Sequence, residues 1–247
     1  MRQEMTEQRI AIVTGGSRGI GRAVAERLAS DGYGVAIAYA SNDAEAAEVV
    51  AGIEAKGGSA FAMRADVADE QAVTALFDAT EQKFGRVDVV VNSAGIMILG
   101  PLADFDLDSF DRTVRTNLRG TYVVDQLAAK RVRDGGAILN FSTSVVKTLL
   151  PNYSAYVATK AAVEALGLIL ARELTGRDIT VNTIAPGPTA TDMFLNGKDD
   201  ALVERLANTN PMHRLGTPED IAEVVSFLAG PARWVNGQVI YANGGMV

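Results

Sequence analysis

Residues 14–21 read Thr14-Gly15-Gly16-Ser17-Arg18-Gly19-Ile20-Gly21, and this glycine-rich stretch lies between two very different neighbours. Before it runs Ile10-Ala11-Ile12-Val13, a short apolar segment that reads as a buried strand. After it, residues 22–29 place apolar side chains at helical spacing. Strand, glycine loop and helix in direct succession commit the chain to an α/β arrangement. Glycines let backbone come close to a pyrophosphate, and the helix N-terminus offers free N–H groups and the positive end of a dipole. Taken alone the loop is equally a tight turn, so the rest of the chain has to decide.

The rest of the chain repeats the alternation. Apolar strand segments are expected at residues 10–13, 35–39, 59–65, 87–91, 137–141, 179–184 and 238–241. Helices are expected at 19–29, 44–55 and 70–84, and two longer ones at 105–133 and 154–175. This pattern predicts a doubly wound parallel sheet covered by helices on both faces, with ligands meeting at the carboxyl ends of the strands. Nothing reads as a linker or a repeat, so residues 1–247 are expected to form one domain. Residues 161–170, apolar almost all round, predict a buried helix with a face left over for a second subunit. Residues 189–212 mix Met193, Phe194, Leu195 and Met212 with Gly197, Asp199 and Asp200, which reads as a lid over a substrate.

Composition narrows the chemistry. The chain has no cysteine and a single histidine, His213, expected in a loop near the substrate mouth. Thiol catalysis and disulfides are excluded, and no metal site is expected. A formal net charge of -7 argues against nucleic-acid binding. No apolar run reads as a membrane span. Met1 to Arg9 is polar and charged with no apolar core, so no signal peptide is expected and the cytoplasm is the expected location.

Tyr156 and Lys160 stand four residues apart and share a helix face. An ammonium ion beside a phenol favours the phenolate, so Lys160 is expected to lower the pKa of Tyr156 and fit it for proton transfer near neutrality. The alternative is a packed tyrosine beside a solvated lysine, which the glycine loop in the same chain disfavours.

Together these motifs resemble the short-chain dehydrogenase/reductase family over essentially the whole chain. Further stretches carry the resemblance. They are Asp66-Val67, Asn92-Ser93-Ala94-Gly95, Asn117 within Arg115-Thr116-Asn117-Leu118, and Pro186-Gly187 followed by Thr189 and Thr191. Arg214 to Ala222 and Asn243-Gly244-Gly245 complete the set. Ser93 replaces the second asparagine of the family motif. Within the family the chain is most similar to 3-oxoacyl-[acyl-carrier-protein] reductases.

The resemblance implies a single Rossmann-type catalytic domain. It also implies an oxidoreductase that moves a hydride between a nicotinamide cofactor and a carbonyl, and a homotetramer built on helix-to-helix contacts. Tyr156 would give the proton, Lys160 would also bind the nicotinamide ribose, and Asn117 would hold a water leading to Lys160. Gly15, Ser17, Arg18, Gly19, Ile20, Gly21, Asp66, Val67, Asn92, Ala94, Gly95, Pro186, Gly187, Thr189 and Thr191 would hold the cofactor. For Asn117 the competing reading is a buried amide bonded to backbone.

Two choices remain within that scheme. The substrate-holding hydroxyl belongs in Ser142-Thr143-Ser144. Counting from Gly135-Gly136 or from Tyr156 selects Thr143, whereas residue type and the following Val145-Val146 select Ser144; Ser144 is the expectation and Thr143 the rival. Lys147 departs from the glycine frequent in the family. At the end of the second strand, Tyr39-Ala40-Ser41-Asn42 offers no acid before Asp43, and Arg18 is at hand for a phosphate. Tyr39, Ser41 and Asn42 are therefore expected around the cofactor ribose, and NADPH is expected over NADH. The substrate is expected to be a small carbonyl compound, with an acyl carrier protein as a partner if Lys130, Arg131, Arg133 and Arg177 form a basic patch. A reductase or dehydrogenase of another small ketone, a polyketide or other polycyclic ketone, a steroid or a sugar, and a non-catalytic NADPH sensor are the other readings, and the intact Tyr156, Lys160 and Asn117 set disfavours the sensor.

Overall fold

The computed structural model describes residues 8–247, so most of the polar stretch Met1 to Arg9, where no signal peptide is expected, lies outside the described residues. Seven parallel strands form one sheet: β1 (Ile10–Thr14), β2 (Gly34–Tyr39), β3 (Ser59–Arg64), β4 (Val87–Asn92), β5 (Val132–Phe141), β6 (Thr180–Pro186) and β7 (Val239–Ala242). Their order is β3-β2-β1-β4-β5-β6-β7. The order reverses between β1 and β4, and that is where a doubly wound sheet opens a crevice. The central strands β1, β4 and β6 are buried at every position, as expected for a sheet covered on both faces.

Helices α1 (Gly19–Ser30), α2 (Asp43–Ala55) and α3 (Glu70–Phe84) connect the first four strands. Asn42 and Asp69 cap α2 and α3 with their side chains, which fixes where each begins. One core lies between the sheet and α1, α2 and α10 (Pro218–Ala229), built on Val24, Leu28, Ile37, Ile221 and Leu228. The other lies under α3 and two later helices, α5 (Gly120–Arg131) and α7 (Ser154–Glu173), built on Ile12, Leu76, Phe77, Val90 and Ile138.

The helix expected at 105–133 differs in two ways. It begins at Leu107 behind an Asp106 cap, as α4 (Leu107–Val114), passes through a wide π-turn at Arg115–Arg119, and continues as α5 (Gly120–Arg131). A π-turn inserts a residue into the helical ladder and often marks a functional site; here it holds Asn117. The chain then turns extended at Val132, which pairs with Val87. Arg133 thus lies in β5, not at a helix end, and forms an ion pair with buried Asp88.

The expectation that no apolar run reads as a membrane span is corrected at the last long helix. α7 (Ser154–Glu173) is long and apolar enough to cross a membrane by length and composition. Its inner face, with Ala155, Val163, Gly167 and Ala171, is instead buried on the sheet, and Lys160 is buried with it. The outer face is not buried: Leu168 and Ile169 are 43% and 52% exposed. The short helices α6 (Val145–Thr148), α8 (Asp192–Leu195) and α9 (Asp200–Ala207) frame the carboxyl ends of the strands.

Candidate active site

A cavity of about 520 Å³ opens along the carboxyl ends of the strands, from the glycine loop to the first turns of α7. The loop forms its floor. Gly19 has φ +53 and Gly15 φ +65, in the left-handed region that favours glycine. A methyl group on Gly15 would lie 2.9 Å from the Ala94 Cα, and one on Gly21 would lie 2.2 Å from the Gly15 carbonyl oxygen. The loop therefore lies flat against the β4 exit and the start of α1, with bare backbone over the helix N-terminus. Thr14, which no motif singles out for a role, accepts a hydrogen bond from the Ala94 N–H at 3.2 Å and ties the two strand ends together.

Nearly all of the expected cofactor residues line this cavity: Gly15, Ser17, Arg18, Gly19, Ile20, Gly21, Tyr39, Ser41, Asn42, Asp66, Val67, Ala94, Gly95, Pro186, Gly187, Thr189 and Thr191. Asn92 does not. Its amide points into the core and donates to Asp125 at 2.9 Å and to Asn140 at 3.0 Å, so its expected place against the cofactor is corrected to one beneath it. Asp66 accepts from the Ala68 N–H at 2.9 Å and pairs with Arg115 at 2.6 Å. Burial pushes its pKa up, but that hydrogen bond and the guanidinium outweigh burial and hold it below the ordinary carboxylate value. Arg115 and Glu45 also line the cavity, and sequence reasoning passed over both.

These features fit a phosphorylated adenine dinucleotide. The bare glycine backbone over the α1 N-terminus suits its pyrophosphate. Arg18 is exposed and lines the same cavity as Ser41 and Asn42 at the β2 end, while Asp43 is engaged by the Tyr39 hydroxyl. Among the described residues no group of side chains is arranged to hold a metal ion.

At the other end of the cavity lie Tyr156, Lys160 and Thr143. α7 presents Tyr156 and Lys160 one turn apart, with the ammonium 5.9 Å from the phenol ring centroid. Lys160 Nζ donates to the Phe141 carbonyl at 2.8 Å, which uses one of its three N–H groups. Burial pushes Lys160 down to about 8. Tyr156 moves opposite to the sequence expectation: burial and the nearby Tyr153 push it up to about 12, and the Thr143 hydroxyl hydrogen-bonded to it offsets only part of that. The reason is dielectric. Removing a phenolate from water costs more here than a buried lysine several ångströms away returns.

The expected choice between the two hydroxyls is corrected by where they point. Ser144 is 1% exposed, donates to the Ala185 carbonyl at 3.2 Å and accepts from the Asn243 amide at 3.0 Å. Thr143 sits beside the Tyr156 hydroxyl. Asn117 is fully buried; its side chain accepts from the Ile96 N–H and donates to the Ile96 carbonyl, both at 2.8 Å, and does not border the cavity. This is the backbone-bonded alternative, and it fastens the β4 exit loop to the π-turn. His213 is exposed beside Asn208 and does not line the cavity.

The substrate end is walled by Ile96, Met97, Leu150, Tyr153, Met193, Phe194, Leu206 and Met246. Three of the four residues expected to form a basic patch are engaged elsewhere. Arg131 pairs with Asp78 at 2.7 Å and Glu81 at 2.6 Å, Arg177 pairs with Asp134 at 2.9 Å, and Arg133 pairs with Asp88.

A dinucleotide crevice at the strand-order reversal, with a tyrosine and lysine on one helix face above it, defines a nicotinamide-dependent oxidoreductase by fold and site. The family model described as enoyl-(acyl carrier protein) reductase matches residues 15–247, and the chain belongs to the short-chain dehydrogenase/reductase family. It is 43% identical to an NADPH-dependent aldehyde reductase of Arabidopsis thaliana, over 96% of this chain and 93% of that protein. It is 42% identical to a 3-oxoacyl-[acyl-carrier-protein] reductase of Staphylococcus aureus, over 96% and 97%. A short-chain dehydrogenase of Burkholderia cenocepacia solved in complex with NADP superposes with a TM-score of 0.91 at 40% identity, covering 97% of this chain and 98% of that one.

Proposed function

We propose that the protein is an NADPH-dependent reductase of small apolar aldehydes and ketones. The observation that carries this reading is the convergence, in one cavity, of the glycine loop, the Tyr156–Thr143 hydroxyl pair and an apolar wall. Bound NADPH supplies the hydride. The chain's own residues supply the rest. Thr143 and Tyr156 hold the carbonyl oxygen between their hydroxyls, and Tyr156 delivers its proton as negative charge builds there. A phenol whose pKa is raised stays protonated through neutrality, which suits a proton donor. Lys160, anchored by the Phe141 carbonyl, keeps two N–H donors for a ribose hydroxyl. Arg18 selects the 2'-phosphate. The aldehyde reductase and the NADP-bound structure support the cofactor assignment.

Reduction of 3-oxoacyl groups on a carrier protein is the second reading, favoured by the Staphylococcus aureus relative. It is weakened because Arg131, Arg133 and Arg177 are neutralised by their own acidic neighbours. We also propose a homotetramer. Two separate outward faces carry exposed apolar groups: Tyr122, Leu168 and Ile169 on α5 and α7, and Phe227 with fully exposed Trp234 at α10 and beyond. Light scattering that finds a monomer would refute it.

The test of function follows NADPH absorbance with apolar aldehydes, ketones and a 3-oxoacyl thioester side by side. Turnover of the apolar carbonyls well above the thioester supports the leading reading. Tight NADPH binding with no carbonyl of any kind reduced overturns it in favour of a sensor.

A further inference from the structure

The last rung of the sheet before the site is polar, which an apolar core does not require. Thr14 of β1, Asn92 of β4, Asn140 of β5 and Thr183 of β6 lie side by side in register. All four are buried. The next residues along three of these strands are functional: Gly15 in the glycine loop, Ser93 in the cavity wall, and Phe141, whose carbonyl anchors Lys160. From the helical layer Asp125 of α5 reaches the middle of this rung. Its Oδ1 accepts from the Asn92 amide at 2.9 Å and its Oδ2 from the Asn140 amide at 2.8 Å. The second N–H of Asn92 donates to the Asn140 Oδ1 at 3.0 Å and closes the ring.

We propose that Asp125 is a positioning residue for the reaction: its carboxylate holds the ends of β4 and β5 at the separation that places the cofactor wall and the Lys160 anchor. The geometry favours this over simple fold stability. A buried carboxylate costs solvation energy, and a filled apolar position would secure the core without that cost. Burial pushes Asp125 up to about 7 against the pull of its two amide donors. The π-turn that leads into α5 is also fastened to the same strand exit, by Asn117 through Ile96. The helix therefore grips the loop that follows β4 from two levels, one at the strand end and one just beyond it. α7 closes the other side, where Gly167 leaves no room for a side chain: a methyl there would lie 2.8 Å from the Thr183 hydroxyl.

The test is a substitution and its electrostatic mirror. Asp125→Asn keeps the shape but turns one acceptor into a donor facing a donor amide. Adding Asn140→Asp restores an acceptor for every donor, with the charge moved across the ring. NADPH affinity is read by fluorescence, and kcat with an apolar aldehyde, at a temperature where each variant is folded. Asp125→Asn is expected to weaken NADPH and lower kcat by roughly 10-fold each, as the loss of one buried partner implies. The double variant is expected to recover most of both.

A folded Asp125→Asn protein with wild-type affinity and kcat overturns the proposal. So does a double variant that regains thermal stability but neither affinity nor kcat. If Asp125→Asn does not fold, the folded double variant decides alone: near wild-type affinity and kcat support the proposal, and a deep loss of both overturns it. The kcat arm rests on the carbonyl-reduction reading. The affinity arm does not, so failure of that reading in the wild type leaves the positioning claim still measurable.

Discussion

Tyr156, Lys160 and Thr143 stand on one side of the cavity, and Met193, Phe194 and Leu206 on the other, and the two sides are built differently. On the first side the polar atoms are fixed by backbone or by each other: Lys160 by the Phe141 carbonyl, Tyr156 by Thr143, and the loop beside them by Asn117. α7 continues for several turns against the sheet. On the second side α8 and α9 are short and contain no buried residue. They are held at their starts by the Thr191 and Asp199 caps and at their far end by Asn210. A reacting group has to be held within a fraction of an ångström, whereas a substrate wall has to admit and release its occupant. Few buried contacts mean cheap local opening, so the second side is the one able to move.

The comparison can be broken by exchanging the expected effects of mutations on the two sides. Tyr156→Phe removes one hydroxyl from the fixed side and is expected to cost ~10²–10⁴-fold in kcat while NADPH still binds. Near wild-type turnover with any reducible carbonyl would remove the fixed side from the chemistry. Thr143→Val is expected to cost roughly 10²-fold, the loss of one donor to a developing oxyanion. Ser144→Ala is expected to change turnover little, because its bonds run to Ala185 and Asn243; the reverse ranking would reinstate Ser144. Arg18→Ala is expected to raise the KM for NADPH roughly 10-fold or more and leave NADH unchanged, from the worth of a hydrogen bond to a charged group.

The pH profile sharpens the same side. Lys160 is charged below its lowered value of about 8 and loses that charge above it, whereas Tyr156 holds its proton to about 12. Reduction is therefore expected to be level through neutrality and to fall as pH rises past about 8. Lys160→Met should lose that limb along with most activity. A wild-type limb that begins only near 12 would assign it to Tyr156 instead. The smallest effect belongs to the second side. Phe194→Ala is expected to raise the KM of bulky apolar carbonyls by about 3- to 10-fold with kcat nearly unchanged, since it removes binding area and no reacting group. A large fall in kcat would mean that this wall also completes the catalytic geometry.

The strands, the early helices and the glycine loop were legible because they depend on local patterns: apolar runs, helical periodicity, capping residues and glycines where φ turns positive. Tyr156 and Lys160 were legible for the same reason, since one turn of helix brings them together whatever surrounds it. The sequence pattern predicts the fifth strand only over residues 137–141, because Val132 and Arg133 continue a helical pattern, whereas the strand begins at Val132. Their pairing beside Val87 and Asp88 comes from a strand far away in the chain.

What tertiary structure alone decided lies in long-range partners. Three consecutive hydroxyls look alike in sequence, and only the packing of β6 and the chain end against Ser144 leaves Thr143 facing Tyr156. Asn92 reads as a cofactor ligand until Asp125 and Asn140 claim it. Four basic residues read as a patch until their acidic neighbours are placed beside three of them. The sign of the Tyr156 shift follows from how much protein surrounds the ring, a quantity no spacing encodes. Sequence determined which residues could meet because helix and strand geometry are local. Tertiary structure decided what each of them faces, because solvation and hydrogen-bond partners are set by segments distant in the chain.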